Sequence, residues 1–246
     1  MSNESMIEGR NAVLEAFRSG KTVDRLYVLD GCQDGPVLTI KREAKKQDTI
    51  IKYVDKDRLD QMSQTGHHQG VIAVSAAYDY SEMEDIFALA KKKGEAPFVI
   101  ILDGIEDPHN LGAIIRTANL VGAHGVIIPK NRAVGLTATV ARTSAGALNY
   151  TPVVKVTNLS KTIEELKDKG LWFVCADMEG EVMYDLNLTG PIGLVIGNEG
   201  EGVSRLVREK CDYVAKIPMK GDIDSLNASV AMGVLSFEIA RQRLQK

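Results

Sequence analysis

Residues 98–102 read Phe-Val-Ile-Ile-Leu, an unbroken apolar run held between Pro97 and Asp103-Gly104. A run this short and this apolar suits a strand covered on both faces, as in the centre of a parallel sheet. Further strand candidates lie at residues 125–128, 171–175, 193–196 and 213–217, and helical stretches at 110–121, 160–169, 204–210 and 226–244 fill the intervals. Strands and helices alternating in this way predict an α/β domain whose mostly parallel sheet is covered on both sides. Ligands of such sheets sit beyond the carboxyl ends of the strands, so the segments that follow the strands carry the functional expectation.

Before Pro97 the pattern is that of a smaller α/β unit. A helix is expected to open at residues 7–11, run through Phe17 and stop at Ser19-Gly20, a glycine stop. Strands are expected at 25–29, 49–54 and 70–74, and a helix at 37–47 carrying Lys41, Arg42, Lys45 and Lys46 on one side. Residues 64–69 are polar. From Tyr78 the chain turns acidic, then basic at Lys91-Lys92-Lys93, with a helix expected over 81–93. The organisation read from this is a small domain at 1–77, a helical connector at 78–96 and a larger domain at 97–246.

Charge and cysteine usage narrow the function classes. With 30 Lys and Arg against 33 Asp and Glu the net charge is −3, so nucleic-acid binding would have to rest on local basic stripes. Cys32, Cys175 and Cys211 form no CxxC pair; their spacing is not that of a zinc site, and an odd count argues against a disulfide framework. They read as buried, packed thiols. No stretch approaches the roughly 18 apolar residues of a membrane helix, and the first residues lack the apolar core of a signal peptide. A soluble, cytoplasmic protein with no membrane partner is expected.

Three segments follow strand ends and carry chemistry. In the first, Asp107-Pro108 offers an N-cap and a first-turn proline for a helix whose apolar face is Leu111, Ile114, Ile115 and Ala118. Arg116 points away from that face, and Asn110 and Arg116 flank the strand end. A solvated arginine is the plain alternative. In the second, glycines at 197, 200 and 202 allow close backbone approach and are expected to leave N–H groups free for a ligand. The dinucleotide fingerprint GxGxxG is not met, because Arg205 stands where its third glycine belongs. In the third, Ser225, Asn227 and Ser229 cluster where the last helix begins, with Ser225 or Asp224 as its cap and Leu226, Val230, Val234, Phe237 and Leu244 as its apolar stripe.

Taken together, the strings DPHNLGAIIRTA from Asp107, GLVIGNEGEGVS from Gly193 and IPMKGDIDSLNASVA from Ile217 resemble, in order and spacing, the motifs of the SPOUT superfamily. The likeness is to its SpoU/TrmH branch of RNA ribose methyltransferases. GRNAVLEAF from Gly9 and GHHQGVIA from Gly66 resemble the substrate-binding domain of the bacterial enzymes that methylate a guanosine of 23S rRNA. The resemblance implies S-adenosylmethionine as cofactor, no metal, a deep trefoil knot in the C-terminal domain, and a homodimer with each active site near the partner subunit. RNA, with 23S rRNA foremost, is the implied partner, and not DNA. By motif position, Ile196, Gly197, Gly202, Ile217, Met219 and Leu226 would hold the cofactor, and Asn110, Arg116, Glu199, Ser225 and Asn227 would form the catalytic face.

Methyl transfer to a ribose hydroxyl needs the hydroxyl aligned with the methyl and its proton removed. A guanidinium is a permanent cation under physiological conditions, so a fixed cation that lowers the hydroxyl's pKa competes with a literal general base as the role of Arg116. Arg10, Arg18, Lys41, Arg42, Lys45 and Lys46 are candidate phosphate contacts, and the loop His67-His68-Gln69 could reach bases. The rival readings are a nucleotide-dependent Rossmann enzyme, a catalytically silent ribosome-assembly factor, and a tRNA ribose methyltransferase of the same family.

Overall fold

The computed structural model describes residues 5–223 and 225–244; Asp224, one of the two caps considered for the last helix, lies outside them. The chain divides into two compact units. One runs to Asp79 and takes in Gly135–Thr139, and the other comprises Tyr80–Val134 and the chain from Val140 onward.

The first unit holds β1 (Ser5–Glu8), α1 (Arg10–Arg18), β2 (Val23–Leu29), α2 (Gly35–Lys46), β3 (Ile50–Val54), α3 (Lys56–Met62) and β4 (Val71–Ser75). Its sheet runs β1-β4-β2-β3, with β2 and β3 parallel and the other neighbours antiparallel. The helix expected to open at residue 7 begins at Arg10 instead, because Ile7 and Glu8 pair with Ala73 and Ile72 of β4. Gly9, at φ 86°, turns the chain from strand into helix, a conformation that costs glycine little. Val13 and Phe17 of α1 and Val37, Ile40 and Ala44 of α2 pack on Leu26, Val28, Val71 and Ala73. The sequence pattern did not reveal α3, which is polar apart from the fully buried Leu59 and its last residue, Met62; Asp55 starts it by accepting from the N–H of Arg58 at 2.7 Å.

From Tyr80 on, the elements are α4 (Met83–Lys93), β5 (Phe98–Asp103), α5 (Pro108–Leu120), β6 (Gly125–Pro129), α6 (Ala138–Thr143), β7 (Val153–Val156), α7 (Leu159–Asp168), β8 (Trp172–Val182), β9 (Ile192–Gly197), α8 (Arg205–Arg208), β10 (Tyr213–Lys216) and α9 (Ala228–Leu244). Six strands form one sheet in the order β10-β8-β9-β5-β6-β7, every neighbouring pair parallel. β5 lies inside it with residues 98–102 wholly buried, as the apolar run required. The pattern missed α6, β7 and the second half of β8. That half is polar, and it stays in the sheet because Gly180 lets it lie against β10, where a Cβ would come within 2.3 Å of the Val214 carbonyl oxygen.

Two expectations are corrected here. The buried residues of α9 are Ala228, Met232, Leu235, Ser236, Glu238 and Ile239, not the expected stripe; Val230 is 49% and Phe237 55% exposed. A helix that is apolar on two sides does not show by periodicity which side meets the core. Of the cysteines only Cys175 is buried, while Cys32 and Cys211 are half-buried, and all three are free. Among the described residues no helix is long and apolar enough to cross a membrane.

Candidate active site

Asp103 ends β5 opposite Gly197, which ends β9, so the segments leaving these neighbouring strands start side by side. The first turns at Gly104, φ 83°, whose missing Cβ would sit 3.1 Å from the Asn198 Nδ2. It enters α5 as its sequence dictates: the Asp107 carboxylate accepts from the His109 N–H at 2.9 Å and Pro108 fills the first turn. Asn110 is thereby buried in the first turn of α5.

The second segment closes on itself. Asn198 Oδ1 accepts from the N–H groups of Gly200 (2.9 Å) and Glu201 (2.6 Å), and its carbonyl accepts from Gly202 N–H at 3.0 Å. The N–H groups expected to remain free at 200 and 202 are therefore spent inside the loop, because an asparagine side chain folds readily onto the backbone just after it. Gly197 is held by contact, since a Cβ there would lie 1.9 Å from the carbonyl carbon of Gly202.

The third segment enters α9 through Asn227, not Ser225. Asn227 Oδ1 accepts from Ser229 N–H (3.0 Å), Val230 N–H (3.4 Å) and Ser229 Oγ (2.6 Å), the work of an N-cap.

These segments meet at Glu199. Its Oε1 accepts from Asn110 Nδ2 at 2.9 Å, Asn227 Nδ2 at 2.5 Å and the Ala228 N–H at 3.3 Å. Asn227 Nδ2 also donates to Asn110 Oδ1 at 3.0 Å. The result is a closed ring of three side chains drawn from three distant stretches of sequence. It places a carboxylate at the positive end of α9, where a negative charge is favoured.

The loop 198–202 is a wall between two cavities. One, of about 620 Å³, is lined by all six residues expected to hold a cofactor, Ile196, Gly197, Gly202, Ile217, Met219 and Leu226, and by Glu199 and Ser225. The other, of about 750 Å³, is lined by Asp103, Glu106, Asp107, Asn110, Arg132 and Glu199 among others. Nine of the eleven expected site residues thus line these cavities, and a tenth, Asn227, is bonded to Glu199 between them. Arg116 does neither. It is exposed on α5, six residues or about 240° of helical turn beyond Asn110, and lines neither cavity.

The sequence reading missed Ala176, Asp177, Met178 and Glu179, which form the far wall of the first cavity. A usable signal existed: these residues directly follow the apolar run at 171–175, at the strand-end position where ligands gather.

In the first unit the loop before β4 is more tightly held than expected. His68 is buried, with Nε2 2.9 Å from Asp60 and Nδ1 accepting from Gly70 N–H. The Gln69 side chain accepts from the Arg10 N–H at 3.1 Å. The His68 side chain is therefore not free to reach a base and the Gln69 side-chain oxygen is spent on Arg10, while His67 and Gln69 are both exposed. Burial pushes the Glu8 carboxyl up, but hydrogen bonds from the Ser63 and Thr65 side chains and from the N–H groups of Gln64 and Thr65 outweigh it and bring its pKa to about 2. Of the candidate phosphate contacts, Arg10 is paired with Asp34 at 2.5 Å, Lys46 with Glu43 at 2.7 Å, and Lys41 lies 4.9 Å from the centre of the Tyr53 ring. Arg18, Arg42 and Lys45 are exposed.

Comparison with known proteins gives this geometry a family. A family model described as the SpoU rRNA Methylase family matches residues 97–237, and one described as RNA 2'-O ribose methyltransferase substrate binding matches residues 6–81. The chain is 50% identical over 236 residues, 96% of its length and 94% of the relative's, to YacO of Bacillus subtilis (strain 168), which is named for the TrmH family of tRNA/rRNA methyltransferases. Among solved structures it is similar to the SpoU methyltransferase AviRb from Streptomyces viridochromogenes in complex with AdoMet, with a TM-score of 0.62 and 26% identity over 98% of this chain and 91% of that one. It is also similar to the A. aeolicus TrmH/SpoU tRNA modifying enzyme, with a TM-score of 0.56 and 28% identity over 64% of this chain and 85% of that one.

Proposed function

The chain belongs to the SpoU family of RNA methyltransferases, and on that premise we propose that it methylates the 2′-hydroxyl of a ribose in RNA, at a guanosine of 23S rRNA, using S-adenosylmethionine. The observation that carries the reading is the ring of Asn110, Glu199 and Asn227 between two adjoining cavities, one for the methyl donor and one for the acceptor. The first cavity fits that donor in size, within the range of about 300–1,000 Å³ usual for small-molecule sites. Its chemistry fits as well. Ile196, Ile217, Met219 and Leu226 offer apolar cover for a base, while Asp177, Glu179 and Glu201 offer carboxylates to ribose hydroxyls and a cationic group. When bound, S-adenosylmethionine supplies a methyl already activated on a sulfonium.

The remaining work falls to the chain's own groups. Glu199, fixed by three donors to one oxygen, faces both cavities and orients the acceptor ribose. Ser225 lines the donor side of the same edge. Arg116 acts as a permanent cation that draws the hydroxyl toward ionisation. Because Arg116 turns away from the ring of its own chain, the reading includes a homodimer in which the site is completed across subunits. The exposed Val230 and Phe237 of α9, which packs on α5, supply an apolar face for such an interface. The reading also includes a deep trefoil knot in the C-terminal domain, RNA binding by residues 1–77, and a connector at 78–96. Mass-spectrometric mapping of 2′-O-methyl groups in rRNA and tRNA, with and without the protein, tests it. One guanosine of 23S rRNA should lose its methyl in the protein's absence; loss at a tRNA site would reassign the substrate, and no loss in either would refute the reading.

A further inference from the structure

The second cavity has one cationic lining residue. Around it stand the carboxylates of Asp103, Glu106, Asp107, Glu199 and Glu201. Asp103 is engaged by the Ser204 N–H at 2.8 Å, Asp107 by the His109 N–H, and Glu199 by the ring. Arg132 is exposed and, among the described residues, makes no hydrogen bond or ion pair, although acidic side chains share its cavity. Its backbone is in the left-handed region, φ 55°, which disfavours any residue with a β-carbon. An acidic cavity with no cation would repel an RNA strand. One with a single free guanidinium, set across from a ring that can take a ribose, can hold the strand at one point.

We propose that this cavity receives the acceptor ribonucleotide and that Arg132 grips the phosphodiester next to the ribose to be methylated. The inference rests on the reading of the chain as an RNA ribose methyltransferase and adds the acceptor side to it. A guanidinium presents paired N–H donors in a plane that matches two phosphate oxygens, which a lysine ammonium cannot reproduce. RNA enzymes fix the register of a strand through such phosphate contacts while other groups read the base. Arg132 is on this view a positioning residue for the acceptor and takes no part in the methyl donor's cavity, which it does not line.

The test uses Arg132→Gly and Arg132→Lys in the full chain. Glycine is the informative replacement because the φ of 55° suits it, so the variant should fold. Methyl incorporation is measured on unmodified transcripts of 23S rRNA and of tRNA, whichever the wild type modifies, and binding of S-adenosylhomocysteine by calorimetry. Arg132→Gly should raise KM for RNA about tenfold and shallow the dependence of log affinity on log salt by about one, with unchanged S-adenosylhomocysteine affinity. Arg132→Lys should recover part of the loss. A wild-type KM and salt slope in Arg132→Gly would overturn the assignment and leave the methyltransferase reading standing. Loss of S-adenosylhomocysteine affinity or of thermal stability would show a structural role instead and also overturn it. If the wild type modifies neither transcript, the methyltransferase reading fails and the inference falls with it.

Discussion

Gly197 at the end of β9 and Gly200 and Gly202 in the loop after it look alike in sequence but are needed for different reasons, so alanine substitutions should separate them. At Gly197 a Cβ would lie 1.9 Å from the Gly202 carbonyl carbon, 2.1 Å from its oxygen and 2.2 Å from the Val203 nitrogen. All three atoms are backbone, so the clash is relieved only by moving the wall between the cavities by an ångström or more. Overpacking of this kind costs about 3 kcal/mol, or some 6–12 °C of melting temperature for a domain of about 150–250 residues. Gly202 has open space around its missing Cβ but a φ of 68°, so Gly202→Ala should cost about 1 kcal/mol through backbone strain alone. Gly200 has neither constraint: its nearest neighbour would be Asn198 Oδ1 at 3.7 Å, and Gly200→Ala should stay within about 0.5 kcal/mol. Thermal melts give the stability order, and calorimetry with S-adenosylhomocysteine gives the function. Gly197→Ala should lose binding and Gly200→Ala should keep most of it. Equal damage from Gly197→Ala and Gly200→Ala, or wild-type binding by Gly197→Ala, would refute the steric argument.

Arg116→Ala should leave melting within about 0.5 kcal/mol of wild type and S-adenosylhomocysteine binding intact, yet cut methyl transfer to RNA at least about a hundredfold; normal transfer would return Arg116 to the helix surface as a bystander. Phe237→Glu, at a position 55% exposed, should keep the fold and shift the protein to monomer in sedimentation, and an unchanged mass would count against the α9 interface. Glu8→Gln should destabilise the first unit by about 1–2 kcal/mol at neutral pH. Because the folded pKa of Glu8 is lowered from 4.5 to about 2, that stability is present above pH 4.5 and is lost as pH falls toward 2. Urea titrations should therefore converge for the two proteins at the acid end, and a gap that persists there would disprove the linkage.

What the sequence disclosed depended on whether one local rule acted alone. The start of α5 was legible because Asp107 and Pro108 each fix a helix start through their own backbone chemistry. β5 was legible because an apolar run between a proline and a glycine turn has few other fates. The start of α1 was misread, since Ile7 and Glu8 belong to β1 through pairing with β4, more than sixty residues away, and no local pattern encodes a long-range ladder. The loop at 197–202 was marked for close approach of its backbone to a ligand, but the fate of its N–H groups turned on where the Asn198 side chain points, and the close contact at Gly197 is with Gly202 of the loop itself. Arg132 attracted no notice because an exposed arginine in a loop carries no pattern of its own; only the cavity around it gives it meaning.

The shared wall also bears on how such a protein can diverge. A substitution anywhere from Asn198 to Gly202 is felt in both cavities, so selection on one ligand constrains the other, and this stretch has little room to drift. The outer walls are not bound in this way. Glu106 and Arg132 border only the second cavity, and Met178 and Met219 only the first. On the function proposed above, a lineage can exchange Glu106 or Arg132 to take a new RNA acceptor while leaving the donor cavity untouched, so duplicated copies should part first at that rim and last at the partition.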